Sequence, residues 1–195
     1  MNLLDRYLPA FDVRDCHEGV VAAGRERAYA ALRGLDLERS RPVRALFFLR
    51  TLPERLRGGG RRGARARAFI DSALEQGWRI LEEEPGRQLV MGAVTRPWEP
   101  VVRFRGLSGA EFAAFAEPGF ARIAWSIAAA EAGPGRTRLA IETRVQTTDP
   151  ASRRKFHRYW LVFGVGIRLI RVFGLAEVRR ALRKAGGPPF PASPN

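Results

Sequence analysis

The cleanest hydrophobic pattern in the chain lies at residues 136–148, where apolar and polar side chains alternate. One side of this segment carries Thr137, Leu139, Ile141, Thr143 and Val145, and the other carries Arg138, Glu142, Arg144 and Gln146. Alternation with a period of two is typical of a strand that packs one face against a core and turns the other toward water. The pattern therefore predicts a strand with a dry face and a wet face.

Five further segments have the apolar content and the flanking turn residues of strands. Glycine and proline between residues 84 and 88, and again between 131 and 136, predict two hairpin turns. The predicted strands are residues 12–23, 78–84, 88–95, 101–104 and 120–131, followed by the strand at 136–148.

Apolar residues at helical spacing predict five helices. The last is much the longest: Asp149 is suited to its N-cap and Pro150 to its first turn. A glycine- and arginine-rich loop follows the second helix at residues 57–67. The predicted helices are residues 25–35, 40–52, 68–76, 108–115 and 149–184.

The number and order of these elements predict the architecture. A sheet with one apolar face must be covered, and the last helix is the only long element left to cover it. We therefore predict an α+β fold in which an antiparallel sheet packs against a long C-terminal helix. Short helices follow the first strand, and residues 39–67 form a basic helical insert and loop.

Length and composition predict the number of domains and the location of the protein. The chain has 195 residues, 46% of them apolar, and a single cysteine, which excludes a disulfide scaffold and an intrinsically disordered chain. We expect one domain at residues 1–187 and a disordered proline-rich tail at 188–195. The N-terminus does not read as a secretory signal, and no apolar run is long enough to span a bilayer. The predicted location is cytoplasmic, with a peripheral association with a membrane as a further option.

The net charge of +14 is concentrated in two segments. Residues 39–67 and residues 153–184 each hold ten basic residues and one acid. Such an asymmetry indicates an anionic partner, and an anionic membrane surface is one candidate. The alternative is that both segments are solvated faces of surface helices. Nucleic acid is a less favoured partner, because the chain has no recognisable nucleic-acid-binding motif.

The predicted C-terminal helix is apolar nearly all round between Tyr159 and Phe173. A helix of this kind seldom faces bulk water. Its outer side is therefore expected to meet a second protomer in a homodimer, the helix within residues 39–56, or a membrane surface with arginines at the level of the headgroups.

Two segments resemble the START-like helix-grip superfamily, also called SRPBCC, of polyketide cyclases, dehydrases and lipid-transport proteins. The first is the strand and helix between His17 and Leu35, and the second is the hairpin strand from Gly135 to Val145 ahead of the last helix. The resemblance spans roughly residues 12–184. It implies a curved antiparallel sheet that grips the C-terminal helix, with a cavity between them for a hydrophobic small molecule. The insert at 39–67 departs from the simplest members of the superfamily.

The resemblance also implies that the cavity is lined by apolar residues of the sheet and of one stripe of the last helix. The candidates from the sheet are Trp78, Met91, Phe104, Ile123, Trp125, Ile127, Leu139, Ile141 and Val145. The candidates from the helix are Phe156, Tyr159, Trp160, Phe163, Ile167 and Ile170. The alternative is that these side chains simply fill a core, since an apolar stripe at helical spacing is usually packing.

The sequence offers little catalytic chemistry. Two histidines and one cysteine give no zinc site, and we predict no metal, no cofactor and no catalytic residue. His157 and Tyr159 are the candidates for an acid or base if the chain acts as a cyclase or dehydratase with the same cavity. Binding or transfer of a hydrophobic small molecule is the leading hypothesis. Such an enzyme, and an interaction module without a ligand, are the alternatives.

Overall fold

The fold is built on a six-stranded antiparallel sheet. The computed structural model describes residues 2–36 and 69–184. Its strands are β1 (Val13–Val21), β2 (Arg79–Glu84), β3 (Gln88–Thr95), β4 (Phe104–Arg105), β5 (Ala121–Glu131) and β6 (Thr137–Thr147). Its helices are α1 (Leu4–Tyr7), α2 (Arg25–Arg33), α3 (Phe69–Glu75), α4 (Gly109–Ala114) and α5 (Pro150–Lys184). The predicted helix at 40–52, the loop at 57–67 and the tail at 188–195 lie outside these residues.

The strand order confirms the predicted architecture. The strands lie in the order β1-β6-β5-β3-β2, and the short β4 pairs with β3. The two predicted hairpin turns are present, with Gly86, Gly133 and Gly135 at positive φ, where glycine is unstrained. The protein is thus α+β, with an antiparallel sheet and a long C-terminal helix in a helix-grip arrangement. Of the predicted strand at 101–104, only Phe104 is in β4.

The two faces of the sheet have different covers. The inner face packs against α2, α3 and α5, and its core includes Leu89, Met91, Ile127 and Leu139. The strand register puts these residues on one face: Leu89 lies opposite Ile127 in the β3–β5 pair. The outer face is covered by α1 and α4, whose side chains surround Val90, Val94 and Ala124.

The wet face predicted for β6 is correct at Arg138, whose side chain is 59% exposed, but wrong at Glu142 and Arg144, where the outer face is covered. Glu142 and Arg144 are each only 5% exposed. Arg144 donates to the Asp5 carboxylate at 2.7 Å and to the Leu8 carbonyl at 3.0 Å, and Arg14 donates to Glu142 at 2.8 Å. The N-terminal segment thus supplies both apolar cover and charge partners. Sequence periodicity missed it because α1 has only four residues.

The start of α5 is fixed by the predicted cap. The Asp149 carboxylate accepts hydrogen bonds from the Ser152 backbone N–H at 2.9 Å and from the Ser152 hydroxyl at 2.6 Å. It also accepts from the backbone N–H of Gly119 at 2.7 Å, which ties the helix to the loop before β5. These donors hold the pKa of Asp149 well below its usual value. The direction in which α5 leaves β6 is therefore set at its first turn.

Further along α5, an ion pair joins the helix to the edge strand β1. The Arg171 guanidinium is almost fully buried and donates to the carboxylate of Asp15, which is itself mostly buried. Burial lowers the pKa of Arg171 to about 10, and Asp15 compensates its charge. Gly19, four residues along β1, allows the helix to come close: a Cβ there would lie 2.8 Å from a methyl group of Leu175.

The ion pair predicts a large stability difference between two positions of β1. Asp15→Ala leaves Arg171 buried without its carboxylate, and removal of one partner of a buried pair costs about 3–5 kcal/mol. We expect a loss near the lower limit, measured as the free energy of unfolding in urea. The control is Glu18→Ala, because Glu18 and Arg138 are both more than half exposed and 3.9 Å apart. Equal losses in the two variants would contradict this account.

The outer-face charge cluster predicts a specific acid sensitivity. Burial alone raises the pKa of Glu142, but hydrogen bonds from Arg14 and Arg144 outweigh burial and leave it below its ordinary value of 4.5. A carboxyl group with a lowered folded-state pKa stabilises the protein above its unfolded pKa, and this contribution is lost as the pH falls through the folded value. The urea midpoint should fall on acidification below about pH 4.5, and less steeply in Glu142→Gln. The control is Glu117→Gln, which changes an exposed acid and should leave the wild-type pH dependence unchanged. If the urea midpoint falls equally steeply in wild type and in Glu142→Gln, the charge cluster does not cause the acid sensitivity.

Candidate ligand-binding groove

The helix α5 buries apolar side chains near its start and from Leu175 onward, and its apolar side chains between these regions are less buried. Phe156 near its start is buried with Val145 and Ala121, and Leu175 and Val178 near its end are buried in the main core. Between these ends, the sheet-facing Trp160, Phe163 and Ile167 remain partly accessible. The middle of the helix is therefore not sealed against the sheet.

The charged contacts of α5 show which of its sides faces which part of the sheet. Arg171 bonds Asp15 on β1, and the Arg168 guanidinium lies 3.9 Å from the same carboxylate. One side of the helix thus follows the β1 edge. By helical spacing, Tyr159 and Phe163 point to the other side, toward the centre of the sheet.

The sheet presents an aromatic cluster on the inner face, which runs from the central strand β5 toward β4 and the start of β2. The ring centroids of Trp78 and Phe104 are 5.1 Å apart, those of Trp78 and Trp125 are 6.2 Å apart, and those of Phe69 and Trp125 are 5.3 Å apart. Such separations are typical of attractive ring pairs. Trp125 is buried, whereas Trp78, Phe104 and Phe69 retain part of their surface.

The helix presents a second aromatic series. Trp160 stacks on Phe156 with centroids 5.7 Å apart, and Tyr159 lies 4.9 Å from Phe163. The Trp160 ring also folds back over Gly164, where an added Cβ would come within 3.0 Å of it. A glycine at this position lets the indole lie along the helix. We use the name inner-face groove for the candidate site bordered by this series and by the aromatic cluster of the sheet.

The structure divides the predicted lining residues into two sets. Met91, Trp125, Ile127, Leu139, Val145 and Phe156 are buried in the cores. Trp78, Phe104, Ile123, Ile141, Tyr159, Trp160, Phe163, Ile167 and Ile170 are partly accessible. Only the second set keeps surface that a ligand could contact, and ligand contact by any of these residues stays a prediction.

Sequence reasoning missed the polar residues at the groove's β1 side. Asp15 and His17 lie on the inner face of β1, and Thr143 lies opposite Asp15 on β6. The strand pattern of β1 was too mixed to assign its faces. One signal in the sequence was Arg171, which lies on the sheet-facing stripe of α5. A buried arginine needs a charge partner, so its position indicates an acid nearby on the sheet.

The groove is mostly apolar, and its polar residues are the Asp15–Arg171 pair, His17 and Thr143 on the β1 side. Asp15 is engaged by Arg171, so it is not a free general base. Tyr159 also has an interaction partner. His157, the other predicted acid or base, is exposed on α5. The arrangement offers contact surface for an apolar molecule, and the cyclase or dehydratase alternative stays a hypothesis.

A separate depression of about 450 Å³ lies where the turn between β5 and β6 meets the start of α2. Its walls are Gly24, Arg25, Glu131 and residues 133–136. Arg25 and Glu131 form an ion pair of 3.6 Å across it. None of the predicted lining residues belongs to this depression.

Comparison with known proteins adds little to this picture. No protein-family model matches the chain, and no curated protein matches it. The crystal structure of Zhui aromatase/cyclase from Streptomyces sp. R1128 is 15% identical, with a TM-score of 0.31. The match covers 90% of this chain and 98% of that chain. The fold description therefore rests on the strand order and on the position of α5.

Proposed function

We propose that the protein is a START-like helix-grip protein that binds a hydrophobic small molecule in the inner-face groove. One observation carries the proposal: the sheet-facing Trp160, Phe163 and Ile167 stay partly accessible, although Phe156 before them and Leu175 and Val178 after them are buried. A helix whose only role was to cover the sheet would be expected to bury this middle stripe as well.

The chemistry of the groove supports an uncharged or weakly polar ligand. Apart from His17 and Thr143 at the β1 side, its accessible residues are aromatic or aliphatic, and ligand sites are commonly apolar with few polar groups. Aromatic rings on opposite walls favour a flat or extended apolar molecule, because they offer large contact areas at low conformational cost. A lipid chain and a polycyclic compound both fit this description.

The proposal predicts that an uncharged fluorescent probe, N-phenyl-1-naphthylamine, binds in the groove. Ile141→Arg places a charge on the groove floor, and we expect it to weaken probe binding at least about tenfold. The matched control is Leu161→Arg, because Leu161 is on the same helix as the groove wall but is 81% exposed. Affinity is measured by fluorescence titration.

A second groove variant guards against a folding defect. Phe163→Ala removes a partly accessible ring without adding charge, and we expect several-fold weaker probe binding with an unchanged circular dichroism spectrum. If Ile141→Arg and Phe163→Ala bind the probe as tightly as wild type and Leu161→Arg, the probe does not use the groove and the proposal fails.

A further inference from the structure

The outward side of α5 carries an apolar surface that the groove does not use. Leu161 is 81% exposed and Val165 is 64% exposed. Val172 continues the same side, since its spacing of seven residues from Val165 is two helical turns. Val162 and Leu169 lie beside them and are also exposed. We call these five residues the outer stripe.

The outer stripe groups five exposed apolar residues on one side of one helix. Single exposed apolar residues are normal, but soluble monomers rarely expose contiguous apolar patches beyond a few hundred Å². The stripe covers residues 161–172, about 17 Å along the helix axis. A contiguous surface of this kind indicates a binding partner.

Basic residues lie at both ends of the outer stripe. Arg154 and Arg158 are exposed in the turns before it, and Arg180 and Arg183 are exposed in the turns after it. Residues 153–184 hold ten basic residues and a single acid, Glu177. Arg168, whose side chain is 61% exposed, also lies between Val165 and Val172 along the helix, so positive charge flanks the stripe at both ends and borders it in the middle.

From this arrangement we infer that the outer stripe is a docking surface for an anionic lipid bilayer, with α5 lying in the plane of the interface. Apolar side chains enter the boundary between headgroups and acyl chains, and flanking arginines pair with anionic headgroups. Within the described residues, no helix is long and apolar enough to cross a membrane. A helix lying flat in the interface satisfies both observations.

Charge decides between the bilayer and the other candidate occupants. A second copy of α5 would bring another segment with an excess of nine positive charges against the first. Residues 39–67 of the same chain carry the same excess. Like charges brought together are unfavourable, whereas an anionic membrane surface attracts all of them.

The test is cosedimentation of the full chain with vesicles of phosphatidylcholine alone and of phosphatidylcholine with about a third phosphatidylglycerol. We expect binding to the anionic vesicles that weakens at least about tenfold between low and high salt, and little binding to the neutral ones. Loss of one flanking charge in Arg158→Gln should weaken partitioning about fivefold.

Apolar insertion is tested with the double variant Leu161→Asn with Val165→Asn. We expect at least about a tenfold loss of vesicle binding, because two inserted side chains become polar. The matched control is Val20→Asn with Val101→Asn, which changes two exposed apolar residues outside α5 and should bind within about twofold of wild type.

Three results would overturn the inference: no binding to anionic vesicles, binding that ignores salt, or equal binding by the outer-stripe variant and its control. A wild-type dimer that dissociates in the outer-stripe variant, without vesicle binding, would assign the stripe to a second copy instead. The inference goes beyond the proposed function and is separable from it. Ile141→Arg should still bind vesicles, and the outer-stripe variant should still bind the naphthylamine probe.

Discussion

The attachment of α5 at its two ends is the constraint on which the structure depends. A cap at Asp149 and a buried Phe156 fix the start of the helix, and apolar residues from Leu175 onward fix its end. The buried pair of Asp15 and Arg171 holds the helix to the edge strand. Because the attachment is concentrated at these points, the middle of the helix need not fill the space above the sheet.

The accessible middle gives one helix two apolar sides with different surroundings. The side with Tyr159 and Phe163 faces the centre of the sheet, and the side with Leu161 and Val165 faces away from the protein. The two proposals therefore describe neighbouring surfaces of one element.

Much of the architecture was predictable because its signals are local. Alternation in β6, the glycine turns and the Asp149 cap each depend on a few neighbouring residues, and the structure confirms them. The cover of the outer face was not predictable, because a one-turn helix has no periodicity. Alternation alone therefore predicts that Glu142 and Arg144 face solvent, whereas in the structure Asn2 and Asp5 of the N-terminal segment bond to them.

The candidate site was also predictable only in part. Periodicity identifies which residues of α5 face the sheet, but burial depends on how closely two distant elements approach. Phe156 and Phe163 both belong to the predicted stripe, and only the first is buried. The pairing of Asp15 with Arg171 joins residues 156 positions apart, so no local pattern reveals it.

The most direct test of the groove is methyl NMR of the isoleucine δ1 groups during titration with N-phenyl-1-naphthylamine. Ile123, Ile141 and Ile167 border the groove, whereas Ile70 is buried in the core and Ile80 is exposed on β2. The account predicts ring-current shifts for the first three and little change for the last two. Shifts confined to Ile80, or no shift in any methyl group at saturating probe, would contradict it.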